Sequence, residues 1–211
     1  MPRVAPFEEN VDRYEAWFQR HPFAYQSELE AVAALLPGGE GLEVGVGTGL
    51  FAAPLGVRAG VEPAAAMRAI ARQRGIDAVD GVAEALPYAD AAFDFVLMVT
   101  TICFVDDVPA AVREAWRVLR TGGHIVVGFV DRESALGRQY EAERGRSAFY
   151  AAATFHSAAE IAAELRRAGF TTLRFRQTVF TPLDEVTALQ PSRPGYGEGS
   201  FVVVAGEKPG R

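Results

Sequence analysis

Short apolar runs recur along this chain with amphipathic or polar segments between them. GLEVGV, GVRAGVE, GIDAVD, AFDFVLMV and GHIVVGFV are each closed by a turn or an acid. Runs of that kind belong inside a parallel sheet covered by helices on both faces. Ahead of the first run the period changes to that of a helix. EENVDRYEAWFQR puts Val11, Tyr14 and Phe18 on one face with Trp17 beside them. SELEAVAALLP does the same with Leu29, Val32, Ala33 and Leu36, before Pro37 and a glycine pair stop it.

Between the fourth and fifth runs, DDVPAAVREAWRVLRTGG predicts a helix. Asp106 or Asp107 caps its start, Pro109 sits in its first turn, Val108, Ala111, Val112, Ala115 and Leu119 form its buried stripe, and Gly122 ends it. A helical insertion follows from about 133 to 150. In SAAEIAAELRRAGF, Ser157 and Glu160 then make a capping box and Gly169 a C-terminal cap. TTLRFRQTVF and SFVVVAGE close the chain as strands. The stretch between them, 182 to 200, holds three prolines and three glycines, so the two are expected to pair as an antiparallel hairpin around an ordered loop or lid bordering the ligand edge of the sheet.

Composition narrows the picture. A length of 211 residues with 49% hydrophobic and 23% charged side chains fits one α/β domain. Its expected parts are a helical cap over 1–37, a core over 41–130, the insertion over 131–155 and a last helix and hairpin over 156–211. A formal charge of −6 argues against a nucleic-acid partner held through phosphates. One cysteine, Cys103, excludes an internal disulfide, and neither a signal sequence nor an 18-residue apolar run is visible. A cytoplasmic protein, monomer or homodimer, without a membrane span or metal, is the expectation.

The chemistry concentrates in LEVGVGTGLFAAPLG, 42 to 56, and VEP, 61 to 63. Gly45, Gly47 and Gly49, at alternate positions where a strand should end, make a floor on which a ligand can lie against the main chain. Glu62, at the expected end of the next strand, can accept from two vicinal hydroxyls and so read a ribose. The spacing is G-x-G-x-G, with Leu50 where the dinucleotide fingerprint has glycine, and the pyrophosphate reading loses ground. For the glycines alone, a tight turn without a ligand is the alternative.

LEVGVGTG, VEP, GVAEALPYADAAFDFV at 81 to 96, CFVDD at 103 to 107 and REAWRVLRTGGHIVV at 113 to 127 stand in an order that resembles the class I S-adenosylmethionine-dependent methyltransferases, the UbiE-like group in particular. The resemblance covers about residues 10 to 206. The TTICFVDD-like segment, DRES and GYGEGSFVVV resemble a smaller bacterial and archaeal set without an assigned acceptor. A Rossmann-like, seven-stranded, mostly parallel sheet of order 3-2-1-4-5-7-6 is implied, with strand 7 antiparallel and an N-terminal helical cap. So is methyl transfer from S-adenosylmethionine to a small molecule at O, N or C, leaving S-adenosylhomocysteine. Glu43, Gly45, Val46, Gly47 and Gly49 would take the methionine moiety and sugar, Glu62 the ribose, and Pro63 and Met67 the adenine faces. Gly81, Val82, Ala83 and Glu84 would meet the adenine edge, and Thr100 and Thr101 would close over the methionine part. Val82 departs from the family, which often has Asp there, so the adenine would rest on main chain of Ala83 and Glu84 or on Asp80. The short segment from Leu50 to Glu62 leaves one or two turns for the first crossover helix.

The acceptor side is less legible. Tyr14 and Tyr25 belong to an aromatic cluster with Trp17 and Phe18; their hydroxyls could reach the cofactor carboxylate or wall the acceptor pocket, with Phe149 and Tyr150 opposite. Tyr196 could cover that pocket, and Glu198 act as a base or bind an amine. His21, between the first helices, is the histidine best placed for chemistry, a solvated turn being the alternative. Cys103 reads as packing, because Asp106 and Asp107 disfavour a thiolate. A cofactor-binding protein that transfers nothing and a nicotinamide-dependent oxidoreductase are the rival functions.

Overall fold

The structure, a computed structural model, describes residues 4–210. Its centre is the parallel set β1 (Gly41–Val44), β2 (Ala59–Val61), β3 (Asp77–Val79), β4 (Phe93–Val99) and β5 (Leu119–Val130). β6 (Thr171–Thr178) and β8 (Phe201–Glu207) complete the long strands, with β8 antiparallel between β5 and β6. The order is β3-β2-β1-β4-β5-β8-β6-β7, where β7 is the two-residue Arg193–Pro194. The expected order holds for the seven long strands; the eighth is a correction. Pro194 has no amide to give a further neighbour, which suits this outermost place.

The apolar runs fill two layers because successive side chains point to opposite faces. On β4, Val96 and Met98 join Leu42, Ile125, Val127, Val202 and Val204 in one core. This layer packs under α6 (Val108–Val118) and α8 (Ala158–Arg167). Phe95, Leu97 and Val99 join Val126, Phe201 and Val203 in the other, against α3 (Pro22–Ala33), the single turn α4 (Ala52–Leu55) and α5 (Ala65–Gln73). α4 is the short crossover helix expected from the spacing. Ser157 and Glu160 form the expected capping box on α8, and the Asp107 side chain accepts from the Ala110 amide to cap α6.

Two boundaries differ from expectation. α6 ends at Val118 rather than Gly122: Leu119 is already extended and pairs with Phe93, and a bulge follows. The amide of Gly122 donates to the Lys208 carbonyl and the Lys208 amide to that of Gly123, both at 2.8 Å, so the strand captures the last turn. α3 begins at Pro22, five residues earlier than the pattern suggests, and its buried stripe is Ala24, Ser27, Glu28, Ala31 and Val32. Ala33 is exposed and Leu29 only half-buried, contrary to expectation.

Before α3 come α1 (Ala5–Glu9) and α2 (Val11–Arg20). Polar side chains fasten this cap to the core. The Thr48 hydroxyl donates to Glu15, and Arg74 donates to Glu15 through both terminal nitrogens, at 3.0 and 2.6 Å. Glu8 accepts from the Ala66 amide at 3.2 Å in the first turn of α5. The Arg74 guanidinium holds the Glu15 carboxyl below its usual range. After β5, α7 (Ala135–Ala142) and two 3-10 turns form the insertion. Among the described residues, no helix is long and apolar enough to cross a membrane.

Candidate cofactor and acceptor site

Strand order reverses between β1 and β4, and at that switch point the carboxyl ends of an open α/β sheet leave a crevice. Val44, Val61, Val99 and Val130, at the ends of β1, β2, β4 and β5, line a cavity of about 270 Å³ there, roofed by the cap and the insertion.

The glycine loop forms one wall. Gly45 and Gly47 have φ of +69° and +55°, open to glycine at little cost. A Cβ on Gly45 would lie 2.5 Å from Thr101, whose hydroxyl donates to the Val44 carbonyl at 3.0 Å; one on Gly47 would lie 3.2 Å from the Tyr14 hydroxyl. The loop is held from below by Glu62, 7% exposed, which accepts from the amides of Gly47 and Ala64, each at 2.9 Å. Burial raises its pKa. Glu43, behind the loop, is buried and its Oε2 has no partner among the described residues. Burial pushes that carboxyl well up, against the Ala52 amide. A buried acceptor without a partner costs about 1–3 kcal/mol, so the site carries an unmet demand for a donor.

Tyr14, Gly45, Gly47, Glu62, Pro63, Gly81, Val82, Ala83, Glu84, Thr100 and Thr101 all face the cavity, as do Phe149 and Tyr150. Burial, then the charges of Glu43 and Glu62, hold the Tyr14 phenol far above its usual range, so it donates and does not act as a base. Thr100 is held at φ +51°, an uncommon conformation for a β-branched residue, right at the cavity. The Glu84 carboxylate turns away to accept from the amides of Asp106 and Asp107 at 2.7 and 3.2 Å, leaving its main chain at the wall. Asp80 pairs with Arg68 at 3.1 Å on the surface, outside the cavity.

Other expected residues stand elsewhere. Val46 and Met67 are core, and Gly49 is a turn residue packed by α5 and Ile76. Tyr25 donates to the Leu50 carbonyl, and His21 sits at the junction of α2 and α3 against Trp17. Tyr196 and Glu198 are corrected: Tyr196 lies on Phe175 at 4.8 Å and Glu198 pairs with Arg193 at 3.5 Å, both exposed. Pairing of β7 with β6 folds this loop back along the sheet's outer edge, and the amide of Gln190 donates to Ser27 of α3, so the loop does not border the cavity. Cys103 packs with Ala153 and Phe155. Among the described residues no group of three His, Cys, Asp or Glu is placed to hold a metal.

Sequence reasoning missed Glu28 and Tyr140. Both line the cavity, and Glu28 is 5% exposed. The available signal was a carboxylate in step with Ala24, Ala31 and Val32, visible only once the helix starts at Pro22. Burial pushes the Glu28 carboxyl up to about 8. Such a group keeps its proton where the unfolded chain has lost it, so its contribution declines as pH rises from 4.5 through about 8. Glu28→Gln is therefore expected to gain melting temperature relative to the parent across that window. Parallel melting curves would show that Glu28 titrates alike in both states.

Comparison with known proteins agrees with this geometry. The family described as "Methyltransferase domain" matches residues 42–127. An uncharacterized protein of Methanocaldococcus jannaschii is 40% identical over 96% of this chain and 98% of its own. The UbiE ubiquinone/menaquinone biosynthesis C-methyltransferase of Stenotrophomonas maltophilia is 36% identical over 47% of this chain and 46% of its own. A crystal structure from Thermotoga maritima, described as "SAM-dependent methyltransferase, possible histamine N-methyltransferase", superposes with a TM-score of 0.95 at 52% identity, covering 97% of this chain and 99% of that one. With its glycine loop, its Rossmann-like sheet and these relatives, the chain belongs to the class I, UbiE-like methyltransferases, whose cofactor is S-adenosylmethionine.

Proposed function

We propose that this protein transfers the methyl group of S-adenosylmethionine, by in-line displacement, to a small-molecule acceptor seated between the cap and the insertion. The observation that carries this reading is one cavity lined both by the ribose-type acceptor Glu62 and the glycine loop and by aromatic side chains of α2, α7 and the 3-10 turns. When bound, S-adenosylmethionine supplies an electrophilic methyl on a sulfonium. Every other task falls to the chain. Glu62 would hold the ribose hydroxyls, Pro63 and the main chain of Ala83 and Glu84 the adenine, and Gly45 and Gly47 the methionine end. Glu43, behind the loop and with an unpartnered oxygen, would offer the cofactor's ammonium an acceptor. Val82 offers no acceptor to the adenine amino group, so main-chain contacts must serve.

The Tyr14 hydroxyl lies beside Gly47 and is free to donate to the cofactor, while Phe7, Phe104 and Phe149 would exclude water from the point of transfer; Phe7 packs on Phe104 at 4.9 Å and on Phe149 at 5.3 Å. The name carried by the Thermotoga neighbour supports an acceptor of metabolite size. Calorimetry with S-adenosylmethionine, S-adenosylhomocysteine and NAD, followed by transfer assays against a metabolite panel, tests the reading. Binding of S-adenosylmethionine in preference to NAD, with a methylated product, is expected. NAD binding alone, or cofactor binding with no product from any cell extract, would overturn it.

A further inference from the structure

The cavity contains a carboxylate without a partner among the described residues. Glu28 is more than nine-tenths buried, lines the cavity, and has no hydrogen bond or ion pair among the described residues. A charge so placed is costly unless it is paired or neutralised. Among the described residues nothing supplies the pairing. The groups that face it are phenols: Tyr25 on its own helix, Tyr140 of α7 and Tyr150 of the following 3-10 turn, each of which feels its charge. Arg13 and Arg20 also line the cavity, but both are exposed and neither pairs with Glu28.

Aromatic faces surround the same space. The rings of Tyr140 and Tyr150 stand 4.7 Å apart, and Trp17 lines the same cavity. Burial holds the Tyr140 phenol up at about 12 and pushes that of Tyr150 well above its usual range, so both remain neutral hydroxyls. Rings that cannot carry negative charge, grouped around one buried carboxylate, provide faces for a cation and one counter-charge for it.

We propose that Glu28, with Trp17, Tyr140 and Tyr150, forms the subsite for a protonated amine carried by the methyl acceptor. The proposal rests on the reading of this cavity as a methyltransferase site, and it adds the substrate class: small molecules bearing a basic nitrogen, over neutral molecules of the same shape. An alcohol in the same place would leave the carboxyl unpaired and give the rings no charge to attract. Because Glu28 holds its proton in the free protein at neutral pH, entry of an ammonium group drives that proton off, and about one proton is released per amine bound.

The full chain, saturated with S-adenosylhomocysteine, would be titrated calorimetrically with amine and alcohol pairs on butyl, 2-phenylethyl and 2-imidazolylethyl frameworks. At least one amine is expected to bind about tenfold or more tightly than its alcohol, with a binding enthalpy at pH 7 that varies with the ionisation heat of the buffer. Glu28→Gln should abolish the preference and the proton release while leaving S-adenosylhomocysteine affinity unchanged. Trp17→Leu should weaken the amine more than the alcohol, which keeps the test alive should the Glu28 variant fold poorly. No amine preference on any framework, or a preference that survives Glu28→Gln, overturns the proposal. Weakened S-adenosylhomocysteine binding in Glu28→Gln would instead assign Glu28 to the cofactor. Failure of the parent chain to bind S-adenosylhomocysteine at all counts against the methyltransferase reading itself and is seen before any amine is added.

Discussion

Glu62→Ala is expected to raise the dissociation constants of S-adenosylmethionine and S-adenosylhomocysteine roughly five- to hundredfold, a loss of about 1–3 kcal/mol. Two effects combine. The ribose hydroxyls lose a charge-assisted acceptor, and the amides of Gly47 and Ala64, each now 2.9 Å from a carboxylate oxygen, lose theirs. The Gly47 amide belongs to the wall on which the ligand lies, so freeing it loosens the floor as well as the clasp. Glu62→Gln separates the contributions, since its amide oxygen can serve one of the two N–H groups while carrying no charge. Calorimetry on both variants reads the difference. Affinity unchanged in Glu62→Ala would mean that the ribose lies elsewhere.

Gly137→Ala should lower folding stability by about 1–3 kcal/mol, a large effect for one added methyl group. The added Cβ would stand 2.0 Å from the Asp131 carbonyl oxygen and 2.9 Å from the Cα of Arg132, and backbone atoms cannot swing aside. The first turn of α7 is pinned at this point. The Ser134 side chain donates to the Asp131 carbonyl at 2.6 Å and accepts from the Gly137 amide at 2.9 Å. α7 must therefore lift from the end of β5, and it carries Leu136 and Tyr140 of the cavity wall with it. Gly145→Ala is the control, because open space surrounds that position. Chemical denaturation should separate the two variants; equal midpoints would show that α7 yields without cost.

What the chain discloses by inspection follows how local each signal is. The glycine loop, Glu62 and the capping box of Ser157 and Glu160 are short-range patterns, and each stands where the spacing puts it. The closing hairpin was also legible, because prolines and glycines left no room for a crossover helix. Glu28 was hidden by a boundary. The pattern starts the helix at Ser27 rather than at Pro22, which puts Leu29, Val32, Ala33 and Leu36 on its stripe in place of Ala24, Ser27, Glu28, Ala31 and Val32. Tyr196 and Glu198 failed for the opposite reason. Their segment had suitable chemistry, but its direction is set by the pairing of Arg193 and Pro194 with β6, a contact too brief to show as a strand pattern.

The place of β8 has a consequence for how the molecule is made. This strand lies between β5 and β6, paired from His124 to Val130 on one side and from Thr171 to Thr178 on the other. A nascent chain leaving the ribosome therefore carries β5 with an open edge until residue 207 has emerged, and the half-site at Val130 lacks its lateral support for as long. Strand pairings of such long sequence separation form late and slowly. Ligand competence should thus arrive in a single step once β8 has emerged, although the glycine loop and Glu62 are translated more than a hundred residues before it.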